Sequence, residues 1–168
     1  MVHLNVVLGS ILDVDADVIV NAANSYGIMG GGVAGVIKRA AGQAVEDEAR
    51  KQAPIAVGQA ALTSGGRTKF KGIIHAPTMP EPGMRIPGQN VALATKAALR
   101  LADEKGFQSI AIPGMGTGVG GVTAGDAAAK MIQEIKAFAP TALQSVVLVD
   151  VDPDMVQAWK EELIAYGR

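Results

Sequence analysis

The sequence predicts a three-layer α/β domain built on a mixed, largely parallel sheet. In the second half of the chain, strand-like segments alternate with helix-like segments, which is the pattern of a parallel sheet covered by helices on both faces. The first half is richer in strand-like segments, so the sheet is expected to be mixed. The length of 168 residues suits one domain, and no linker, repeat or change in composition divides it. We therefore expect residues 1–168 to form a single domain.

The individual elements follow from residue patterns and from the residues that typically begin or end helices. Strand-like segments lie at 2–9, 17–21, 59–63, 72–75, 109–112 and 145–151. Helical patterns lie at 33–52, 90–105, 123–138 and 153–166, and a proline-rich loop is expected at 78–88. Gly42 is expected to divide the first helical segment, and Gly106 to end the second. Thr123 with Asp126 resembles a capping box, and Pro153 suits the first turn of the last helix.

Composition excludes several classes of protein. The net charge of -1 argues against a broad basic surface for nucleic acid. The absence of cysteine excludes disulfides, thiolate zinc sites and a cysteine nucleophile, and two histidines are too few for a polyhistidine metal site. No apolar run reaches the roughly 18 residues of a membrane span, and the first residues do not resemble a signal peptide. We expect a cytoplasmic protein with no bound metal or cofactor.

Two glycine-rich segments carry the strongest signal for a ligand site. The first glycine loop (Gly30–Gly35) and the second glycine loop (Gly114–Gly121) each follow a strand and precede a helix. Open α/β sheets bind ligands at the carboxyl ends of their strands, where such loops lie. Glycine allows backbone N–H groups to approach an anion, and a helix N-terminus adds unpaired N–H groups and a positive dipole end. The two loops therefore predict a diphosphate site that needs no lysine or arginine.

Two other interpretations of these loops stay open at this point. The glycines could serve only to make tight turns. Both loops also contain G-x-G-x-x-G, which raises the possibility of a Rossmann dinucleotide site with Asp150 on the ribose. Asp150 lies 29 positions after Gly121, however, where about 20 is expected. A P-loop is not indicated, because neither loop ends in Lys-Ser or Lys-Thr.

Taken together, the motifs resemble those of the macro domain family, the branch of bacteria and archaea in particular. The motifs are Asn21-Ala22-Ala23-Asn24, the first glycine loop and Pro113-Gly114-Met115-Gly116-Thr117-Gly118-Val119-Gly120-Gly121. The resemblance covers nearly the whole chain. It implies an α/β/α sandwich with a mixed six-stranded sheet, and ADP-ribose or ADP-ribosylated proteins as partners. In many members it also implies hydrolysis of ADP-ribosyl groups from proteins or deacetylation of O-acetyl-ADP-ribose.

The resemblance assigns roles to particular residues. It implies that Asn24 contacts the distal ribose and is the central catalytic residue, although a simple turn asparagine is the alternative; Asn21 is expected to be structural. The implied ligand contacts are Ser10, Ile11, Ala22, Asn24, Gly30, Gly31, Gly32, Val33, Ala34, Gly114, Met115, Gly116, Thr117, Gly118, Val119, Gly120 and Val151. His75 ends an apolar strand and is expected to be packed rather than catalytic.

Three positions depart from the family's patterns. Ser10 stands where many members have an aspartate that binds the adenine amino group, and Val151 stands where many have an aromatic residue. Ala34 replaces an aspartate that prepares the attacking water in one hydrolase branch. We therefore expect weaker adenine selectivity and slow turnover of ADP-ribosyl esters. A non-catalytic reader of ADP-ribose is the alternative favoured by Ala34, and the oligomeric state is not predicted.

Overall fold

A computed structural model describes residues 2–167. Its strands are β1 (His3–Leu8), β2 (Val18–Asn24), β3 (Ala61–Thr63), β4 (Gly72–Met79), β5 (Ser109–Ile112) and β6 (Ser145–Asp150). Its helices are α1 (Gly32–Ala41), α2 (Gln43–Lys51), α3 (Gly88–Glu104), α4 (Ala124–Ala137) and α5 (Pro153–Tyr166), with one 3₁₀ turn at Ile11–Asp13.

All six strands form one sheet in the order β1-β6-β5-β2-β4-β3. Every neighbouring pair is parallel except β3 with β4, which is antiparallel. The predicted mixed, largely parallel sheet is therefore confirmed. Because five strands run in the same direction, their carboxyl ends meet at a single edge of the sheet, where a ligand site is expected.

Helices cover both faces of the sheet and complete the predicted three layers. On one face, α3, α4 and α5 pack against β-branched residues of the central strands, with Trp159 of α5 fully buried. On the other face, α1 and α2 contribute Ile37, Ala41 and Val45 to a second cluster. Each fully buried aliphatic side chain contributes about 1.5–3 kcal/mol, so the central strands are the rigid part of the molecule.

Two strands are longer than the sequence predicts. β2 continues through Ala22–Asn24, and β4 continues past His75 to Met79. β4 contains Pro77, which cannot donate a ladder hydrogen bond. The parallel pairing of β2 with β4 nevertheless runs on to Ala23 and Pro77, and its register shifts only before Asn24. The extension brings Asn24 and Met79 to the same edge of the sheet.

Glycine conformation explains the boundary between α1 and α2. Gly42 adopts φ 104°, a value that side-chain-bearing residues rarely adopt, and it ends α1 while beginning α2. The division predicted at Gly42 is confirmed. Within residues 2–167, no helix combines the length and the hydropathy needed to cross a membrane.

Candidate functional site

A cleft of about 790 Å³ lies at the edge where the parallel strands end. Both glycine loops line it, together with residues from the ends of β2, β4 and β6. All the ligand contacts implied by the resemblance line this cleft, with the exception of Met115. The structure thus brings into one cavity residues that lie more than a hundred positions apart in sequence.

The first glycine loop leads directly into α1. Gly31 is the N-cap residue of α1, and among the described residues no side chain caps this helix end. The first N–H groups of the helix, from Gly32, Val33 and Ala34, therefore have no intrahelical partner. They face the cleft together with the positive end of the helix dipole, which is the arrangement that binds phosphate groups.

Several glycines of the cleft are not required by the protein's own packing. A Cβ atom on Gly30, Gly31 or Gly118 would meet no heavy atom of the described residues within 4 Å, and none of the three has a positive φ. In contrast, a Cβ on Gly35 would lie 2.9 Å from the Gly30 carbonyl oxygen, and a Cβ on Gly120 would lie 2.6 Å from the Gly116 carbonyl oxygen. The open space over Gly30, Gly31 and Gly118 is therefore available to a ligand.

A buried carboxylate fixes the segment that precedes the first loop. Oε2 of Glu46 accepts a hydrogen bond of 2.6 Å from the backbone N–H of Met29, and Oε1 lies 3.0 Å from Nζ of Lys38. Burial alone would raise the pKa of Glu46. The Met29 N–H, the Gln43 amide and Lys38 outweigh burial and lower that pKa, so Glu46 stays ionised. α2 thereby holds the cleft wall in place.

The second glycine loop is fixed by different contacts. Oδ2 of Asp150 accepts a hydrogen bond of 3.0 Å from the Gly114 N–H, and Gly116 turns the chain with φ 76°. The loop does not open α4 directly, contrary to the sequence prediction. α4 begins at Ala124, and Oγ1 of Thr123 accepts from the Asp126 N–H at its N-terminus. Among the helices of residues 2–167, α1 is thus the one whose uncapped N-terminus lines the cleft.

Asn24 has both a structural role and a place in the cleft. Its Oδ1 accepts from the N–H groups of Tyr26 (3.1 Å) and Ile28 (3.3 Å), and its Nδ2 donates to the Ile28 carbonyl (2.9 Å). The side chain is 8% exposed. The amide therefore organises the 24–28 turn, as the turn-asparagine alternative predicts, and the second Nδ2 hydrogen remains to donate to a ligand.

Other residues singled out from the sequence have clear places. Met115 does not line the cleft; its side chain is fully buried in the core, within 3.7 Å of Oγ1 of Thr95. Ser10 lines the cleft and caps the 3₁₀ turn by accepting from the Leu12 N–H. Val151 lines the cleft and is exposed, and Ala34 lines it from within the first glycine loop.

His75 is packed, as expected, and lies outside the cleft. It is fully buried, with Nδ1 3.2 Å from Nδ2 of Asn21 and Nε2 3.0 Å from Oγ1 of Thr63. Burial lowers the pKa of His75 to about 4, although Glu48 opposes this effect. Asn21 is structural, as predicted, but its partner is this imidazole rather than nearby backbone. Its Oδ1 is buried without a hydrogen-bond partner among the described residues.

Sequence reasoning missed part of the cleft wall. Thr78 and Met79 reach it because β4 is longer than predicted, and Pro82 and Gly83 reach it from the proline-rich loop. The end of a parallel strand was the available signal for Thr78 and Met79. Arg39, which the sequence places on the outer face of the helix or within reach of a phosphate, lines the cleft from the last turn of α1. Within residues 2–167, no cluster of three or more histidine, aspartate or glutamate side chains could hold a metal ion.

Fold and cleft together define a class of α/β protein with a ligand-sized cleft at the carboxyl edge of its sheet. The model of the Macro domain family matches residues 20–131, and the chain belongs to this family. The Rossmann interpretation is therefore wrong, and the Asp150 carboxylate proposed for it is engaged by the N–H groups of Gly114 and Asp152.

Relatives and solved structures agree with this assignment. An uncharacterised protein of Aquifex aeolicus is 58% identical over 160 residues, which cover 95% of this chain and 97% of that protein. A glycine-to-valine mutant of the Oceanobacillus iheyensis macrodomain with ADP-ribose superposes with a TM-score of 0.86 at 27% identity, covering 97% and 92% of the two chains. The Trypanosoma brucei macrodomain in complex with ADP-ribose gives a TM-score of 0.86 at 26% identity, covering 96% of this chain and 69% of that one.

Proposed function

We propose that this chain binds ADP-ribose in the cleft, with the diphosphate between the two glycine loops. The observation that carries the proposal is the open space above Gly30, Gly31 and Gly118, which neither packing nor backbone conformation explains. A diphosphate there would accept hydrogen bonds from the first N–H groups of α1. Hydrogen bonds to a charged group contribute about 1.5–3 kcal/mol each, so a few suffice without a cationic side chain.

The resemblance to macro domains orients the ligand within the cleft. The adenine lies toward Ser10, Ile11 and Val151, and the distal ribose lies toward Asn24. Both macrodomain structures named above contain ADP-ribose, which supports this choice of ligand. With ADP-ribose as the ligand, we expect ADP-ribosylated proteins of the cytoplasm to be the partners.

We further propose slow hydrolysis of ADP-ribosyl esters. Ala34 cannot act as a general base, so catalysis would depend on positioning a water molecule between the diphosphate and the distal ribose held by Asn24. An ester has a better leaving group than a guanidine, so arginine-linked ADP-ribose should resist. The absence of a general base at Ala34 favours the second candidate, a reader that binds ADP-ribose without turnover.

Calorimetric titration with ADP-ribose, NAD, AMP and ADP tests the binding proposal. We expect a micromolar Kd for ADP-ribose, about −8 kcal/mol, and much weaker binding of NAD, because the nicotinamide would crowd the distal-ribose end. Binding of NAD as tight as that of ADP-ribose would contradict the proposal.

Release of ADP-ribose from ester-linked and arginine-linked substrates tests turnover. We expect release from the ester only, and faster release, if it changes, in Ala34→Asp. A rate equal to the no-enzyme control on both linkages would establish the reader and reject the hydrolase.

A further inference from the structure

Three exposed residues of the cleft wall combine apolar surface with a positive charge. Ile28, Val36 and Arg39 all line the cleft, and we call these three residues the α1 rim. Val36 and Arg39 are three positions apart and share one face of α1. Ile28 is 39% exposed and Val36 is 36% exposed, so two apolar side chains face solvent beside a cation.

The two adjacent cations of α1 differ in their partners. Lys38 pairs with Glu46, and this pair belongs to the contacts that fix Met29. Arg39 is exposed, and within residues 2–167 no carboxylate lies within ion-pair distance of it. Its side chain extends back toward the first glycine loop, with Nη1 3.3 Å from the position that a Cβ on Gly35 would occupy.

The α1 rim adjoins the end of the cleft assigned to the distal ribose. Asn24 binds both backbone groups of Ile28, so the rim begins at the residue that is expected to contact that ribose. ADP-ribose is attached to a carrier through the distal ribose. A carrier must therefore leave the cleft at this end, over or beside the rim.

We propose that the α1 rim binds the polypeptide that carries ADP-ribose, and that Arg39 pairs with a carboxylate close to the modified residue. This inference rests on the proposed binding of ADP-ribose. The charge of Arg39 fits an acidic segment, and Ile28 and Val36 fit apolar side chains of the same segment. A nucleic-acid carrier fits less well, because its phosphates require several cations and the chain has a net charge of -1.

The test compares three probes: free ADP-ribose, a peptide with a stable amide-linked ADP-ribosyl group flanked by glutamates, and the same peptide flanked by glutamines. We expect the wild type to bind the glutamate peptide about fivefold more tightly than the glutamine peptide, in keeping with one exposed ion pair. Arg39→Gln should abolish this preference, and Arg39→Lys should restore part of it. The preference should fall at 0.5 M salt, because exposed charges are screened.

A matched control is Arg100→Gln, which removes an exposed arginine from α3 on the opposite face of the sheet and should leave the preference intact. Equal binding of the two peptides by the wild type would overturn the inference. So would an equal loss for free ADP-ribose in Arg39→Gln, or tighter binding of an ADP-ribosylated oligonucleotide than of the glutamate peptide. Absence of any binding to free ADP-ribose would instead reject the proposed function itself.

Discussion

Asn24 binds both backbone groups of Ile28: Nδ2 donates to the carbonyl at 2.9 Å, and Oδ1 accepts from the N–H at 3.3 Å. One side chain therefore closes the turn at the end of β2 and sets the position of the chain that enters the first glycine loop. A ligand contact from Asn24 depends on the same geometry, so binding and local stability are coupled at this residue.

Asn24→Ala should lower the free energy of unfolding by about 1 kcal/mol and weaken ADP-ribose binding, because three hydrogen bonds to partly buried backbone groups are lost. Asn24→Asp keeps the acceptor for Tyr26 and Ile28, but it places a carboxylate oxygen against the Ile28 carbonyl and should also destabilise the turn. Urea unfolding and calorimetry of both variants measure these effects. The exposed Asn5→Ala serves as control, and an Asn24→Ala protein as stable as this control would show that the turn does not need the amide.

Gly31→Glu and Gly118→Glu should abolish ADP-ribose binding without unfolding the protein. Each position has room for a side chain and a backbone conformation that allows one, but the added carboxylate would occupy the diphosphate site. Gly32 is a poorer test, because its φ of 59° disfavours any side chain. Gly125→Glu is the matched control, since Gly125 also has open space but does not line the cleft. Retained affinity in either loop variant would mean that the loops are turns only.

Ser10→Asp should raise selectivity for adenine. Aspartate preserves the cap on the Leu12 N–H, and it offers the adenine amino group a charged acceptor, which binds about twice as strongly as a neutral one. The measurement is the ratio of affinities for ADP-ribose and its inosine analogue. An unchanged ratio would show that another group, such as Asp13, already binds the adenine.

Acid should destabilise the fold through His75. The pKa of His75 is about 4 in the folded protein, against 6.5 for an ordinary histidine. Between these values the unfolded chain binds the extra proton, so stability should fall as the pH is lowered from about 6.5 to 4. His75→Gln should remove this component of the pH dependence, whereas replacing the exposed His3 by glutamine should not. A wild-type stability that is flat across this range would contradict burial of a neutral imidazole.

Local sequence was sufficient to predict the glycine loops, because glycine content and strand-to-helix order are both readable along the chain. The position of Met115 could not be predicted in the same way. Its side chain packs in the core, and whether a loop residue faces the core or the cleft depends on the path of the loop in the folded chain. The local pattern predicted β4 only as far as His75, because its continuation depends on pairing with β2, which runs on to Ala23 and Pro77.

Charged residues were the least predictable part of the site. Asp150 and Glu46 accept hydrogen bonds from backbone N–H groups that lie 36 and 17 positions away in sequence, and Lys38 of α1 pairs with Glu46 of α2. Only the folded chain brings these partners together. Lys38 and Arg39 are adjacent and carry the same charge. Among the described residues, Lys38 pairs with Glu46, whereas Arg39 has no carboxylate within ion-pair distance. Nothing in their local sequence distinguishes them, because the difference lies in the position of α2.

The open N-terminus of α1 has a consequence for how this site tolerates sequence change. Its donors are backbone N–H groups, which every residue except proline carries. Replacement of neighbouring side chains by alanine therefore leaves the donors in place, and an alanine scan would pass over the most important contacts. The site should therefore be lost when a side chain is added at the glycines rather than when a neighbouring side chain is removed.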